Sequence, residues 1–421
     1  MKKLKEVYKM FTIASYAYAK WEYEVAQTIL NDRKRLLILG FMLLPVLVIP
    51  IVSAADLPHI LGGKKAYAPA FSTTEVLGVS ILIGLCAGLI TGCIGAGGGF
   101  VITPALMSIG VRGILAVGTD MFHIFSKAIM GTTIHKKLGN VSVGLTIAFV
   151  VGSIVGATCG GYINRAIYYA NPIMSDIFIS LIYVFLLGFL GIYALQDYIK
   201  LKRMASTSET YQFNGGELVT TTKLALKVQS IKFPPMISFD HDITPGGRHI
   251  SVWPVCGVGF IVGFVCAIMG VGGGFLAFPL HVYVLGVSSF TTVGTNIFQI
   301  IFTAGYASIT QYAIFGFVFY TLAMGLLLGS LAGIQIGALV TKVVRGFTIR
   351  GLYAIAILAG FLNRLLALPE KLASAEVITL NESISNALNF AGIVVFFAII
   401  GSFSAWVLWK FIRNMNLLKE V

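Results

Sequence analysis

Charge is scarce in this chain: 11% of its 421 residues are charged, with 17 Asp and Glu against 30 Lys and Arg. A soluble chain of this length needs far more polar surface. With 57% hydrophobic residues and a mean hydropathy of +0.89, the composition is that of a multi-spanning membrane protein. Cysteine is also sparse. Cys86, Cys93, Cys159, Cys256 and Cys266 lie within or at the edge of apolar segments, with no CxxC pair and no metal-ligand spacing, which argues against disulfides and zinc. There is no Walker motif, Rossmann fingerprint, nucleophile elbow or HExxH, so nothing supports an ATP-driven pump, a membrane hydrolase or a cofactor. The net charge of +13 would suggest nucleic acid in a soluble domain. Here the Lys and Arg sit mainly in loops and termini, where they set topology and meet anionic lipid, so no nucleic acid partner is expected.

What the chain does contain is one segment written twice. Ile94-Gly95-Ala96-Gly97-Gly98-Gly99-Phe100 recurs about 175 residues later as Met269-Gly270-Val271-Gly272-Gly273-Gly274-Phe275. Pro104 is matched by Pro279, Gly110-Val111 by Gly286-Val287, and Gly118-Thr119-Asp120-Met121-Phe122 by Gly294-Thr295-Asn296-Ile297-Phe298. Glycine clusters weaken a helix. Two broken apolar segments at matching places in two halves point to the binding site of a secondary transporter.

About 20 apolar residues span a bilayer as a helix. The expected order is a cytoplasmic N-terminal segment 1–35 and a first transmembrane helix 36–55, retained although Ser53-Ala54-Ala55 resembles a signal-peptidase site. Repeat 1, 76–198, holds segments at 76–94, a short piece 98–110, 113–134, 141–164 and 174–198. A polar cytoplasmic connector, 199–250, leads to repeat 2, 251–367, with segments at 251–270, a short piece 275–286, 288–313, 316–340 and 347–367. A last helix, 387–410, has no counterpart.

Loop charge decides how the repeats are related. If the short pieces cross, Lys136-Lys137, the connector with Lys200, Lys202 and Arg203, the turn with Lys342, Arg345 and Arg350, and Lys410 and Arg413 all fall on the cytoplasmic side. Glu370, Glu376 and Glu382 then fall outside. Re-entrant short pieces would violate the positive-inside tendency. The expected fold is therefore an all-α polytopic membrane protein of two inverted-topology repeats, five helical segments each with one short or broken. An extra N-terminal and an extra C-terminal transmembrane helix flank them, and both termini are cytoplasmic.

The short helices begin after glycines at Phe100 and Phe275, with Pro104 and Pro279 expected near the first turn. Bare N–H groups at a helix start attract anions, so two such starts meeting near an inverted-repeat axis can form one anion site. The bland alternative is that the glycines only let helices pack closely. The expected binding set is Gly95, Gly97, Gly98, Gly99 and Phe100 with Gly270, Gly272, Gly273, Gly274 and Phe275, joined by Thr119, Thr295, Asn296 and Gln299. A second constellation, Asp120, His123 and Lys127, has spacings of three and four that put it on one helical face. Its counterparts are Asn296, Gln299 and Thr303. Ionisable groups within a membrane segment are costly and functional by default. Lys127 is expected to counter an anionic substrate and Asp120 and His123 to couple protons; the alternative is a structural Asp–Lys pair. His281 reads as a packed histidine, His135-Lys136-Lys137 as an interfacial anchor, and Asp176 and Asn171 have no evident partner.

The paired Gly-x-Gly-Gly-Gly-Phe segments followed by Pro, and the paired Val-Gly-Thr-Asp/Asn-x-Phe segments at 117–122 and 293–298, resemble the TauE/SafE family of membrane permeases, known as sulfite exporters. The likeness covers roughly 76 to 410; the N-terminal 75 residues and the long connector depart from a shorter family pattern. The resemblance implies export of a small sulfur-containing anion, sulfite or an organosulfonate, across a cytoplasmic membrane. Rival readings are an anion channel, an importer, a sulfur-transfer protein using Cys86 and Cys93, which share a helix face, or a non-transporting scaffold. Expected partners are a small anion and membrane lipid, with a homo-oligomer left open.

Overall fold

The computed structural model describes residues 74–94, 98–137, 141–207, 223–240, 247–341, 344 and 346–414. The expected N-terminal segment and first transmembrane helix lie outside the described residues. So do the side chains of His135, Lys136, Lys137, Lys200, Lys202, Arg203, Lys342, Arg345 and Arg350, on which the loop-charge argument drew.

Repeat 1 is built from α1 (Thr74–Ile94), α2 (Gly99–Ser108), α3 (Gly113–Lys137), α4 (Val143–Ala170) and α5 (Pro172–Thr207). Asn171 and Pro172 start α5: the Asn171 Oδ1 accepts the Ile173 N–H at 2.9 Å, and proline suits the first helical position. Helix α5 runs on to Thr207, past the expected end at 198, because Leu201 to Thr207 carry no helix breaker.

The connector holds a short helix, α6 (Lys223–Gln229), and an antiparallel hairpin of β1 (Met236–Phe239) and β2 (Arg248–Ser251). Repeat 2 follows as α7 (Val252–Met269), α8 (Gly274–Pro279), α9 (Ser289–Tyr306), α10 (Tyr320–Thr341) and α11 (Gly346–Ser374). Wider π-helical turns, Leu280–Leu285 and Ala307–Tyr312, continue α8 and α9. The last helix is α12 (Glu382–Arg413). Its start is capped by the Asn381 Oδ1, which accepts the Ser383 N–H at 3.0 Å, and Lys410 and Arg413 sit in its last turn where the dipole favours cations. Among the described residues, six helices are long and apolar enough to cross a membrane.

The two repeats are interlocked. The first helix of each packs along the fourth helix of the other, α1 on α10 and α7 on α4, while the third helices α3 and α9 and the fifth helices α5 and α11 pair with each other. Close approach at the first two contacts depends on glycines four residues apart. Gly84 and Gly88 of α1 lie on the backbone of Leu326 and Ser330, and Gly259 and Gly263 of α7 lie on Phe149 and Ser153. Gly152, Gly156 and Gly160 answer from α4, and Gly329, Gly333 and Gly337 from α10. A Cβ on Gly263 would sit 2.6 Å from the Ser153 Cα. Lipid offers apolar side chains no reason to leave it, so such helices associate through tight backbone packing instead. In both pairs the residue numbers of the contacts rise together, so the helices run parallel. For α5 and α11 they run in opposite senses: Gly188 meets Phe361, Gly191 meets Leu358 and Gly351 meets Tyr198.

The connector grips the joint between α8 and α9. Gln229 Nε2 donates to the Leu285 carbonyl at 2.8 Å, and an Arg248 Nη1 N–H donates to the Gly286 carbonyl at 2.7 Å. Asp240 accepts both the N–H and the hydroxyl of Ser288, at 3.0 and 2.7 Å, fixing the residue that caps α9.

Candidate functional site

The two glycine segments fold alike. Gly98 precedes α2 with φ 78° and ψ −10°, and Gly273 precedes α8 with φ 80° and ψ −14°. This left-handed backbone is cheap for glycine alone. In each copy the helix's bonding to that glycine starts three to four residues on: Val101 and Ile102 donate to the Gly98 carbonyl, Leu276 and Ala277 to the Gly273 carbonyl. The N–H groups before them belong to the open end of the helix. Gly95 and Gly97 lie outside the described residues. Pro104 and Pro279 correct one expectation: each is the sixth residue of its helix, in the second turn rather than near the first. There proline leaves a carbonyl without its helical donor, and the chain after Pro279 widens into a π-helical turn.

The two segments touch. A Cβ on Gly99 would lie 2.7 Å from the Val271 Cα, and one on Gly270 would lie 2.7 Å from the Val117 Cα and 3.1 Å from the Thr103 Oγ1. The rings of Phe100 and Phe275 pack with centroids 6.4 Å apart. Gly272 lies against the side chain of Ile124. With only 10 residues, α2 extends about 15 Å, so it brings its glycine end to the middle of the bundle rather than across it.

Against this junction α3 sets its charged face. Thr103 Oγ1 donates to Asp120 Oδ2 at 2.9 Å, and the same oxygen would be 3.0 Å from a Cβ on Gly99. Asp120 Oδ1 and His123 Nδ1 face each other at 3.5 Å without hydrogen-bond geometry, and neither atom has a hydrogen bond among the described residues. His123 Nε2 bonds the Ser330 hydroxyl of α10 at 2.8 Å. Lys127 Nζ reaches the Thr91 Oγ1 of α1 at 3.5 Å, and would be 3.6 Å from a Cβ on Gly98. Asp120 and His123 are wholly buried and Lys127 is 8% exposed, so the site is shut in this conformation.

The matching face of α9 forms a closed chain. Thr303 Oγ1 donates to Gln299 Oε1 at 2.9 Å, Gln299 Nε2 donates to Asn296 Oδ1 at 2.9 Å, and Asn296 Nδ2 donates to the Gly274 carbonyl at 3.0 Å. The Thr303 hydroxyl also shares a hydrogen bond of 2.7 Å with Ser153 of α4. Thr119 and Thr295 stand apart from both faces. Thr119 Oγ1 accepts the Phe319 N–H at 2.9 Å, before α10, and Thr295 Oγ1 accepts the Ser142 N–H at 3.0 Å, before α4.

Sequence reasoning passed over several of these partners. Ser153 and Ser330 hold equivalent places, one residue after Gly152 and Gly329 in the two glycine ladders; the recurrence of glycine every four residues was the available signal. Thr91 and Thr103 have no such mark. His281 is buried, with Nδ1 on the Ala277 carbonyl at 2.8 Å and its ring stacked on Phe149. Asp176 accepts the Gly113 N–H at 2.7 Å and pairs with Lys371 at 3.3 Å. The five cysteines are unpaired, and Cys93 donates to the Gly337 carbonyl.

A many-helix membrane protein with two broken helices meeting beside buried ionisable groups belongs to the class of membrane transporters. The chain matches the sulfite exporter TauE/SafE family over residues 80–364, and it belongs to that family, a family of membrane permeases rather than enzymes. Two curated relatives are similar to it. The probable membrane transporter protein YunE of Bacillus subtilis (strain 168) is 25% identical over 281 residues, 64% of this chain and 90% of the relative. YjnA of the same organism, also a probable membrane transporter protein, is 24% identical over 261 residues, 61% and 87% of the two chains. No solved structure matches the chain.

Proposed function

We propose that the chain is a secondary transporter that carries a small sulfur-containing oxyanion, sulfite or an organosulfonate, out across the cytoplasmic membrane by alternating access. The observation that carries this reading is the meeting of the two glycine-headed helix starts, Gly99 against Val271, directly beside Asp120 and within reach of Lys127. Open N–H groups at such starts favour an anion. Lys127 supplies the counter-charge, and Asp120 with His123 exchanges the coupling proton. Antiparallel packing of the equivalent helices α5 and α11 supports inverted repeats, because a two-fold axis in the membrane plane reverses equivalent helices and an axis along the normal does not. Burial of the whole charged face supports a carrier, which must rearrange to admit its substrate. In this topology the chain's C-terminus and the connector face the cytoplasm.

Uptake into proteoliposomes tests the proposal, with sulfite, sulfate, thiosulfate and sulfonates presented with and without a proton gradient. Saturable movement and counterflow of at least one sulfur oxyanion, accelerated by the gradient, is expected. Non-saturating flux without counterflow would make the protein a channel. A Lys127→Ala variant that reaches the membrane and transports at the wild-type rate would remove Lys127 from the mechanism.

A further inference from the structure

Beyond that junction, toward the C-terminal end of α2, α11 buries a second cation. Arg364 is 1% exposed and closes round the C-terminal end of α2. Its Nη2 donates to the Ser108 hydroxyl at 2.9 Å and the Pro104 carbonyl at 3.3 Å, and its Nε donates to Asn363 Oδ1 at 2.8 Å. A guanidinium has five N–H donors, and the pair on Nη1 has no partner among the described residues. All three acceptors are neutral, and no carboxylate within ion-pair distance of Arg364 is found among the described residues. A buried charge is normally paired.

Arg364 also forms part of the wall of a polar pocket of about 210 Å³, shared with Ser108, Arg112, Asp176, Glu370 and Lys371. Asp176 forms its ion pair with Lys371 instead, and its other oxygen holds the Gly113 N–H. Arg112 is exposed at the rim. With Lys371 and Asp176 paired to each other, Arg364 and Arg112 face Glu370 alone, and an anion is what would balance the remaining positive charge.

We infer that this pocket is a second binding site, for a small oxyanion from the aqueous phase. Arg364 supplies the buried counter-charge and Arg112 and Lys371 the rim. The pocket lies where α2 ends and α3 begins, at the end of the 25-residue α3 opposite the connector. The glycine end of the central junction lies at the other end of α2, about 15 Å along that helix. On the transport reading of the central site, the pocket is a station at the bundle's mouth; its anion chemistry stands without that reading. A structural clamp on α2 alone would explain the Nη2 and Nε contacts but leave Nη1 and the excess charge without a purpose.

Binding of radiolabelled sulfate to the purified full chain tests the inference. Arg112→Gln, at the exposed rim, is expected to weaken binding about tenfold, the scale of one charge-assisted hydrogen bond, and Arg364→Lys at least as much. Lys127→Gln should leave this binding in place even where it stops transport, so failure here and failure of the central site are distinguishable. Wild-type affinity in both Arg112→Gln and Lys371→Gln overturns the site, even if Arg364→Lys fails to fold, and so does loss of all binding in Lys127→Gln. In nanodiscs at matched ionic strength, binding should be equal in zwitterionic and anionic lipid. Sulfate binding that disappears only in the anionic discs would assign the pocket to a lipid headgroup and overturn the aqueous source.

Discussion

Asp120, His123 and Lys127 on α3 occupy the register that Asn296, Gln299 and Thr303 occupy on α9, and each face lies against a serine of a fourth helix, Ser330 or Ser153. The neutral face is complete: both amides are bonded at both ends, down to the Gly274 carbonyl. The charged face is incomplete, with Asp120 Oδ1 and His123 Nδ1 buried 3.5 Å apart and without a hydrogen bond among the described residues. Buried polar atoms in proteins nearly always find partners, so the exceptions call for an explanation. Neutral amides can hold a backbone in place but cannot change charge. On the proposed transport reading, α9 serves as scaffold and α3 carries the moving proton.

The largest effect is expected from removing what the halves share. Gly99→Ala and Gly270→Ala each put a methyl group 2.7 Å from a backbone Cα, which cannot yield as a flexible side chain would. Overpacking of this kind costs about 1–3 kcal/mol, and Gly270 adds strain at φ 78°. Both variants should lose transport to background in proteoliposomes. Gly257→Ala, where a Cβ meets nothing within 4 Å, should transport normally. Equal activity in all three would mean that the contact between the glycine segments is incidental.

Next in size is making the halves chemically alike. Asp120→Asn keeps the shape and the Thr103 contact but removes the titrating group, giving α3 the residue α9 has. Proton-driven accumulation should fall by about tenfold or more while counterflow without a gradient persists, since an intramembrane carboxylate matters chiefly through its charge. Gradient-driven accumulation at the wild-type level would take the proton away from Asp120.

Much of this comparison was legible in the sequence, because periodicity and matched motifs survive in a single chain. The doubled glycine motif, the polar faces at spacings of three and four, and the two short segments could all be read from residue identity. The partners could not. Thr103 meets Asp120 across 17 positions and Ser330 meets His123 across 207, and no local signal encodes such pairings. The paired threonines show the same limit. Thr119 and Thr295 match in sequence beside the polar faces, yet their hydroxyls hold the N–H groups before α10 and α4. Folded substructure in the connector was hidden by its polar composition, since α6 has only 7 residues and each strand 4.

The smallest effect is the most discriminating, because it changes the same atom in both halves. Ser330 and Ser153 each also donate to a carbonyl of their own helix, Leu327 at 3.2 Å and Val150 at 3.1 Å. Ser153→Ala removes one neutral hydrogen bond from Thr303, whose hydroxyl still donates to Gln299, and should change the transport rate by less than about threefold, within the net worth of such a bond. Ser330→Ala leaves a buried His123 Nε2 without its partner in a ring whose Nδ1 already lacks a hydrogen bond, which costs about 1–3 kcal/mol rather than a fraction of one. Rates measured with and without the proton gradient should therefore separate the two: Ser330→Ala slows the gradient-driven rate more than the counterflow rate, and Ser153→Ala shifts both alike. If the two alanines behave identically, the halves are functionally symmetric and the charge on α3 has no private role.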